Sequence, residues 1–156
     1  MAWWRFEGLE LAFALLLGWQ LLLLATFDAL TGRLPRALNF GLGLSGLLAQ
    51  VVLYGDWLPP IVGAGFAGTM LVLIAWFYRR MRGREGLGFG DILLLTGAGA
   101  WLGLERIAPA LLIGAIVGLG HWWLKSRRLH LPSDAELIQF APALAVGIWV
   151  SFLYVT

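Results

Sequence analysis

The sequence predicts an all-α fold, a polytopic membrane bundle of about six transmembrane helices. Of its 156 residues, 60% are hydrophobic and only 13% are charged, whereas roughly a quarter of the residues in a soluble domain are charged. Mean hydropathy is +0.83. So short a chain cannot bury this much apolar surface in a core of its own, and lipid must therefore cover part of it. We interpret residues 1–156 as a single membrane-embedded domain without repeats or linkers.

Six apolar segments divide the chain, and most of them approach the ~20 residues that a helix needs to cross a bilayer. The fourth is short, and Gly103 with Glu105 and Arg106 separates it from the fifth. A re-entrant or half-inserted helix is the alternative for that segment. The first segment is expected to be retained and not removed as a signal peptide. Glu7 and Glu10 lie beside Arg5 at its start, where a signal peptide is basic, and no small-residue cleavage site follows it. The segments are Leu9–Phe27, Ala37–Tyr54, Ile61–Tyr78, Asp91–Leu104, Ile107–Leu124 and Leu137–Val155.

The distribution of basic residues between the loops predicts the orientation. Loops 28–36, 79–90 and 125–136 lie on one side of the predicted bundle and hold nine of the eleven Lys and Arg residues. The positive-inside rule places these loops in the cytoplasm and both termini outside. Arginines in these loops are expected to contact anionic membrane lipid. A net charge of only +2 gives no reason to expect a nucleic-acid partner.

Two of the nine acidic residues stand out, because they fall at the predicted cytoplasmic ends of their spans. Asp28 ends the run LLLLATFD, where the negative end of the helix dipole disfavours a carboxylate, so capping does not explain it. The alternative for Asp28 is a solvated helix end with Arg33 as its partner. Asp91 follows Gly88-Phe89-Gly90, and its alternative is an ordinary helix cap.

Helix packing that brought Asp28 and Asp91 together would create a pair with a shared proton, since two adjacent carboxylates do not both ionise readily. One carboxylate would activate water as a general base, and the other would protonate the leaving amine as a general acid. This aspartic-protease chemistry needs no metal, thiol or cofactor. The chain has no cysteine and two histidines, too few for a typical catalytic zinc site.

Three motifs, in order along the chain, resemble those of the bacterial type IV prepilin peptidases, within the GxGD class of intramembrane aspartyl proteases. In the first, an aspartate ends a membrane helix and Leu-Pro follows a short polar turn. The second is the GxGD string itself, and the third resembles Phe-Gly-Pro-x-Leu-Ala. The resemblance extends over nearly the whole chain from Leu9. The motifs are Asp28-Ala-Leu-Thr-Gly-Arg-Leu-Pro-Arg-Ala-Leu-Asn39, Glu85-Gly-Leu-Gly-Phe-Gly-Asp91 and Phe140-Ala-Pro-Ala-Leu-Ala145.

The resemblance implies an aspartic endopeptidase of the bacterial cytoplasmic membrane. Such enzymes cut the short basic leader from prepilins or pseudopilins at the cytoplasmic face. By this resemblance Asp28 and Asp91 are the catalytic dyad, and Gly88, Gly90 and Pro35 support the loops that carry them. Longer members have an N-terminal region, often with paired cysteines, that is tied to N-methylation of the product. This chain is therefore expected to have peptidase activity without methyltransferase activity, while its substrate and its oligomeric state stay open.

Departures from the family's pattern keep other functions open. Leu93 stands where many members have Lys, and Arg36 where Asn or Asp is common. One alternative is a catalytically silent homologue that acts as a membrane scaffold in pilus or secretion assembly. Another is a small proton-coupled transporter, in which the two aspartates relay protons or bind a cation. A presenilin-like protease shares GxGD and Pro-Ala-Leu motifs but needs more spans than this chain supplies.

Overall fold

The computed structural model describes residues 3–83, 88–129 and 140–154, and these residues form five α-helices. No strand occurs within these ranges, so the predicted all-α class is confirmed. Four stretches of the described chain are long and apolar enough to cross a membrane, and the last helix is shorter. The helices are α1 (Trp3–Thr31), α2 (Arg36–Tyr54), α3 (Leu58–Arg82), α4 (Phe89–Leu129) and α5 (Ala141–Leu153).

α4 consists of two helical segments that meet at Gly103, where φ is 65° and ψ is −177°. Asp91, near its start, interacts electrostatically with Asp28, and Asp28 contacts the first turn of α5. Gly118, in the second segment, packs against Phe140, which immediately precedes α5. A straight helix would separate residues 91 and 118 by about 40 Å. The chain therefore turns back at Gly103, and α4 supplies the fourth and fifth predicted apolar segments.

Glycines at the helix crossings let the backbones approach closely. A Cβ on Gly63 of α3 would collide with the carbonyl oxygen of Gly99 on α4. A Cβ on Gly147 of α5 would collide in the same way with the carbonyl oxygen of Ala110 on the returning segment of α4. α2 and α3 thus pack on the first segment of α4, and α5 packs between the second segment and α1.

Trp101 joins four of the helices at the end of the bundle that lies away from Asp28. Its side chain is 2% exposed, and its indole Nε1 donates a hydrogen bond to the Leu42 carbonyl at 2.9 Å. The rings of Phe13 and Phe152 contact it edge-on, with centroids at 6.3 and 6.1 Å. Aromatic pairs in this geometry add to the burial of their area, so this end of the bundle is firmly packed.

The outer surface of the bundle is strongly apolar. Large hydrophobic side chains that are each more than 60% exposed recur along α1 and the returning segment of α4. A helix that faces lipid presents this kind of surface, because its backbone polar groups are satisfied internally and its side chains meet hydrocarbon. They include Leu11, Leu15, Trp19, Leu22, Leu112, Ile116 and Leu119.

Candidate active site

Asp28 lies in the last turn of α1, and its side chain is buried, with 6% exposed. The helix ends at Thr31 because Gly32 adopts a φ of 62° and its N–H donates to the Asp28 carbonyl at 2.8 Å. The carboxylate accepts a hydrogen bond from the backbone N–H of Ala141, the first residue of α5. The positive end of α5 therefore stabilises a carboxylate that the negative end of its own helix disfavours.

The solvated alternative for Asp28 does not fit the structure. Arg33 is exposed, and within the described residues it forms no ion pair with the buried Asp28. The Oδ2 atom of Asp28 has no hydrogen-bond partner among the described residues. One oxygen of this carboxyl group is therefore available for a proton or for a hydrogen bond from a reactant.

Asp91 is the third residue of α4, and its side chain is 9% exposed. The Gly88 carbonyl accepts hydrogen bonds from the N–H groups of Asp91 and Ile92, at 3.1 and 3.4 Å. In return, the Gly88 N–H donates to the Asp91 carboxylate, a reciprocal arrangement that resembles a capping box. A Cβ on Gly88 would lie 3.3 Å from Asp91 Oδ2. Asp91 is therefore not the N-cap itself, but its carboxylate binds the start of the helix from the third position, and the same bond orients that carboxylate.

The structure brings the two aspartates together at one end of the bundle. Asp91 and Asp28 are close enough for their charges to interact, and both side chains are buried. Each carboxylate also lies at the N-terminus of a helix, Asp91 in α4 and Asp28 against α5. Two helix dipoles favour one negative charge here, while burial and mutual repulsion disfavour a second. The pair is suited to hold a single proton between two carboxyl groups.

The Leu34-Pro35 dipeptide fixes the start of α2 against the start of α4. Pro35 is the N-cap of α2, with φ −61° and ψ 125°, and its carbonyl accepts the N–H groups of Leu38 and Asn39 at 3.1 and 3.3 Å. Leu34 packs so closely on Gly90 that a Cβ there would lie 2.9 Å from the Leu34 Cβ. Gly90 therefore permits the contact that brings the two helix starts together.

Asn39 is a residue of this site to which no sequence pattern assigned a role. It is 3% exposed, and its Nδ2 donates to the Gly90 carbonyl at 3.4 Å. Its Oδ1 has no hydrogen-bond partner among the described residues. The only signal in the sequence is an amide in the first turns of an apolar helix, at the end of the motif that begins with Asp28.

Two of the departures from the family's pattern, Leu93 and Arg36, have distinct surroundings. Leu93 lines an apolar groove of about 310 Å³ between α2, α3 and the first segment of α4, and Asn39 lies on the same groove. The guanidinium carbon of Arg36 lies 5.9 Å from the centre of the Phe89 ring. This cation–π contact also joins the start of α2 to the start of α4.

Among residues 3–83, 88–129 and 140–154, no three His, Asp or Glu side chains are grouped to hold a metal ion. His121 is exposed on the second segment of α4. Glu85, with which the second motif begins, lies outside the described residues, as does His130. The described functional groups of the site are thus two carboxyls, one amide and the main chain around them.

Known proteins match the chain across the region that carries both aspartates. The profile of the Type IV leader peptidase family matches residues 15–123. A "Prepilin leader peptidase/N-methyltransferase" of Xanthomonas campestris pv. campestris is 35% identical over 157 residues, 97% of this chain and 53% of the relative. Proteins with the same name from Dickeya chrysanthemi and Aeromonas salmonicida are 38% and 34% identical over 144 and 148 residues. Each of these alignments covers 90% of this chain, and 50% and 48% of the respective relative.

This chain spans about half the length of the curated relatives it matches. No solved structure matches it. The matched range includes Asp28, the Leu34-Pro35 dipeptide and the Gly-Phe-Gly-Asp string, which together form the buried site. The chain belongs to the Type IV leader peptidase family.

Proposed function

We propose that this chain is a membrane aspartic endopeptidase that removes the basic leader from type IV prepilin or pseudopilin substrates. The observation that carries the proposal is the juxtaposition of Asp28 and Asp91, both buried and each at the N-terminus of a helix. A structural cap alone explains Asp91 but gives no reason for a second buried carboxylate beside it. The Oδ2 of Asp28, which has no hydrogen-bond partner among the described residues, adds an open acceptor to the pair.

In the proposed reaction the two carboxyls share one proton before substrate binds. The ionised member takes a proton from water, whose oxygen adds to the carbonyl carbon of the scissile peptide. The protonated member hydrogen-bonds the carbonyl oxygen and stabilises the charge that develops there. A carboxyl group of the pair then acts as general acid and delivers a proton to the amide nitrogen. The C–N bond breaks, and the products are a carboxylic acid and an amine. The backbone N–H groups of Ala141 and Gly88 hold the two carboxyls in place during these steps.

The proposed reaction takes place at the cytoplasmic face of the membrane. Arg33 and Arg36 flank the site at the start of α2, and Arg79 and Arg80 lie near the end of α3. The positive-inside rule favours the cytoplasm for this end of the bundle. The arginines around the site would contact anionic lipid, and the charge of the aspartate pair is not what attracts a basic leader.

We assign no methyl transfer to these residues. The curated relatives are named for both a leader peptidase and an N-methyltransferase, and this chain matches about half of each. Its 156 residues contain no cysteine, whereas paired cysteines often accompany methylation in longer members. The mass of a cleaved product separates the two activities, because an N-methyl group adds to the mass of the new terminus.

Cleavage in cells provides the test. The protein is co-expressed with leader-bearing prepilins in a strain that lacks its own prepilin peptidase, and the substrate masses are measured. Asp28→Asn and Asp91→Asn should each lower the cleavage rate by roughly 10²–10⁴-fold or more, because each removes an acid–base group. Asp56→Asn is the matched control, since Asp56 is exposed and its carboxylate only accepts the Leu58 N–H at the start of α3.

Equal accumulation of all the variants in the membrane is required for the comparison. The proposal fails for this panel if the wild-type protein trims no leader while a known prepilin peptidase trims them in parallel. The silent scaffold would then be the better function. Cleavage that survives Asp28→Asn or Asp91→Asn would instead refute the assignment of the dyad.

A further inference from the structure

Two side-chain amides on α2 bind main-chain carbonyls on the first segment of α4. Asn39 Nδ2 donates to the Gly90 carbonyl at 3.4 Å, and Gln50 Nε2 donates to the Trp101 carbonyl at 3.0 Å. The partners are 51 residues apart in both pairs, so the two helices run parallel in a fixed register. About three helical turns separate the two contacts. One contact lies at the aspartate pair, and the other lies at the opposite end of the bundle.

The Asn39 contact acts on the peptide group that leads into Asp91. The Gly90 carbonyl and the Asp91 N–H belong to one planar peptide unit. Asn39 binds the carbonyl side of this unit, and the Gly88 carbonyl accepts the N–H on its other side at 3.1 Å. This peptide plane is therefore held from both sides. Its position determines the position of the Asp91 Cα, from which the carboxylate side chain extends.

Burial distinguishes Asn39 from Gln50. Asn39 is 3% exposed and its Oδ1 is unpartnered among the described residues, whereas Gln50 is only partly buried. A buried amide with an unpartnered oxygen is unfavourable for stability. An apolar residue would fill this place at lower cost if packing were its only purpose. The amide is therefore better explained by what its nitrogen does at Gly90.

We infer that Asn39 is a positioning residue, whose amide holds the Gly90 carbonyl and through it sets the Asp91 carboxylate against Asp28. The effect of Asn39 on cleavage rests on the proposed function, whereas its effect on the placement of the Asp91 carboxylate against Asp28 does not. Asn39 itself makes no contact with reacting atoms in this assignment. Its loss should therefore affect the rate of the chemical step and leave leader binding largely intact.

The kinetic test compares Asn39→Leu and Asn39→Ala with Gln50→Leu and Gln50→Ala. Each pair removes one amide contact between α2 and α4 from a different end of the bundle. The Asn39 variants should lower kcat about 10- to 100-fold with little change in KM, as expected when a reacting group is misplaced. The Gln50 variants should leave kcat close to wild type. Equal losses in both pairs, or a loss confined to KM, would overturn the assignment.

A second measurement is independent of activity. The chain has no cysteine, so Asp28→Cys and Asp91→Cys introduce the only two thiols. A short bifunctional thiol reagent should join them, and the cross-linking rate should fall several-fold in the Asn39→Leu background but not in the Gln50→Leu background. An unchanged rate in both backgrounds contradicts the positioning role, even where leader cleavage is absent for other reasons.

Accumulation in the membrane decides the remaining outcome. If both Asn39 variants fail to accumulate while both Gln50 variants do, Asn39 is needed for folding, and the positioning role is replaced by a structural one. If all four accumulate, the rates decide. The cross-link thus separates failure of this inference from failure of the peptidase proposal.

Discussion

At the scale of single residues, main-chain groups explain how two buried aspartates are tolerated in an apolar bundle. Asp91 binds the Gly88 N–H at the start of its own helix, and Asp28 binds the Ala141 N–H at the start of another. A carboxylate that accepts backbone N–H groups at a helix N-terminus is stabilised by hydrogen bonding and by the helix dipole. Among the described residues, these main-chain groups hold both carboxylates in place.

Gly90→Ala tests how closely α2 must approach α4. The added methyl would lie 2.9 Å from the Cβ of Leu34, which precedes α2, so the first turn of α4 must shift away from Leu34. We expect cleavage to fall by about tenfold or more, because small displacements of a reacting group are costly. The assay is leader cleavage at equal membrane accumulation.

Gly65→Ala is the matched control for this substitution. Gly65 lies on α3, and a Cβ there would meet nothing within 4 Å. Its cleavage rate should equal that of the wild type. A Gly90→Ala protein that is as active as the Gly65→Ala protein would show that the Leu34 contact is not needed for the site.

At the scale of elements, the reversal within α4 brings Asp91 and α5 to the same end of the bundle. The first segment runs away from Asp91, and the returning segment carries Gly118 back to Phe140. Phe140 precedes α5, whose first N–H group binds Asp28. The turn at Gly103 therefore determines whether both helix N-termini face the aspartate pair.

Gly103→Ala should destabilise the protein. Its φ of 65° and ψ of −177° lie in a region that is essentially restricted to glycine. A side chain there lowers the free energy of unfolding by about 1–3 kcal/mol. We therefore expect a lower midpoint of thermal unfolding in detergent. Gly120 lies on the same helix with an ordinary φ and open space around it. Gly120→Ala should therefore unfold at or slightly above the wild-type temperature, because alanine favours a helix interior. Equal midpoints for the two variants would contradict the strained turn.

At the scale of the whole molecule, the site lies at one end of the bundle and the Trp101 cluster at the other. Arg33 and the arginines at the start of α2 and the end of α3 lie at the site end, and the apolar surface lies around the helices. A bilayer around this surface would leave the aspartate pair near one interface. A reaction at that interface has access both to water and to a substrate that is anchored in the membrane.

Cysteine labelling in intact cells tests the orientation. The chain has no cysteine, so Arg33→Cys and Trp57→Cys each place one thiol at an exposed position, at opposite ends of the bundle. An impermeant maleimide should label Trp57→Cys and should reach Arg33→Cys only after the membrane is opened, because the positive-inside rule places Arg33 in the cytoplasm. The reverse pattern would place the aspartate pair on the outer face and exclude a cytoplasmic cleavage site.

Much of the fold follows from local patterns that the sequence displays directly. Apolar runs of about 20 residues predict membrane helices, and Gly103 beside Glu105 and Arg106 predicts the break that the structure places within α4. Leu137, where the sixth predicted segment begins, lies outside the described residues, and α5 itself begins at Ala141. Asp28 was identified because its position conflicts with the dipole of its own helix.

Local sequence patterns predict that this protein is a helical membrane bundle and that two aspartates fall at the same end of it. Hydropathy and helix polarity are local properties, so they can be read without knowing which helices touch. The helix packing is needed to show that Ala141 binds Asp28, that Leu34 packs on Gly90 and that Asn39 binds the Gly90 carbonyl. These contacts join residues far apart in the chain, and they depend on which faces of the helices pack together, which no local pattern encodes.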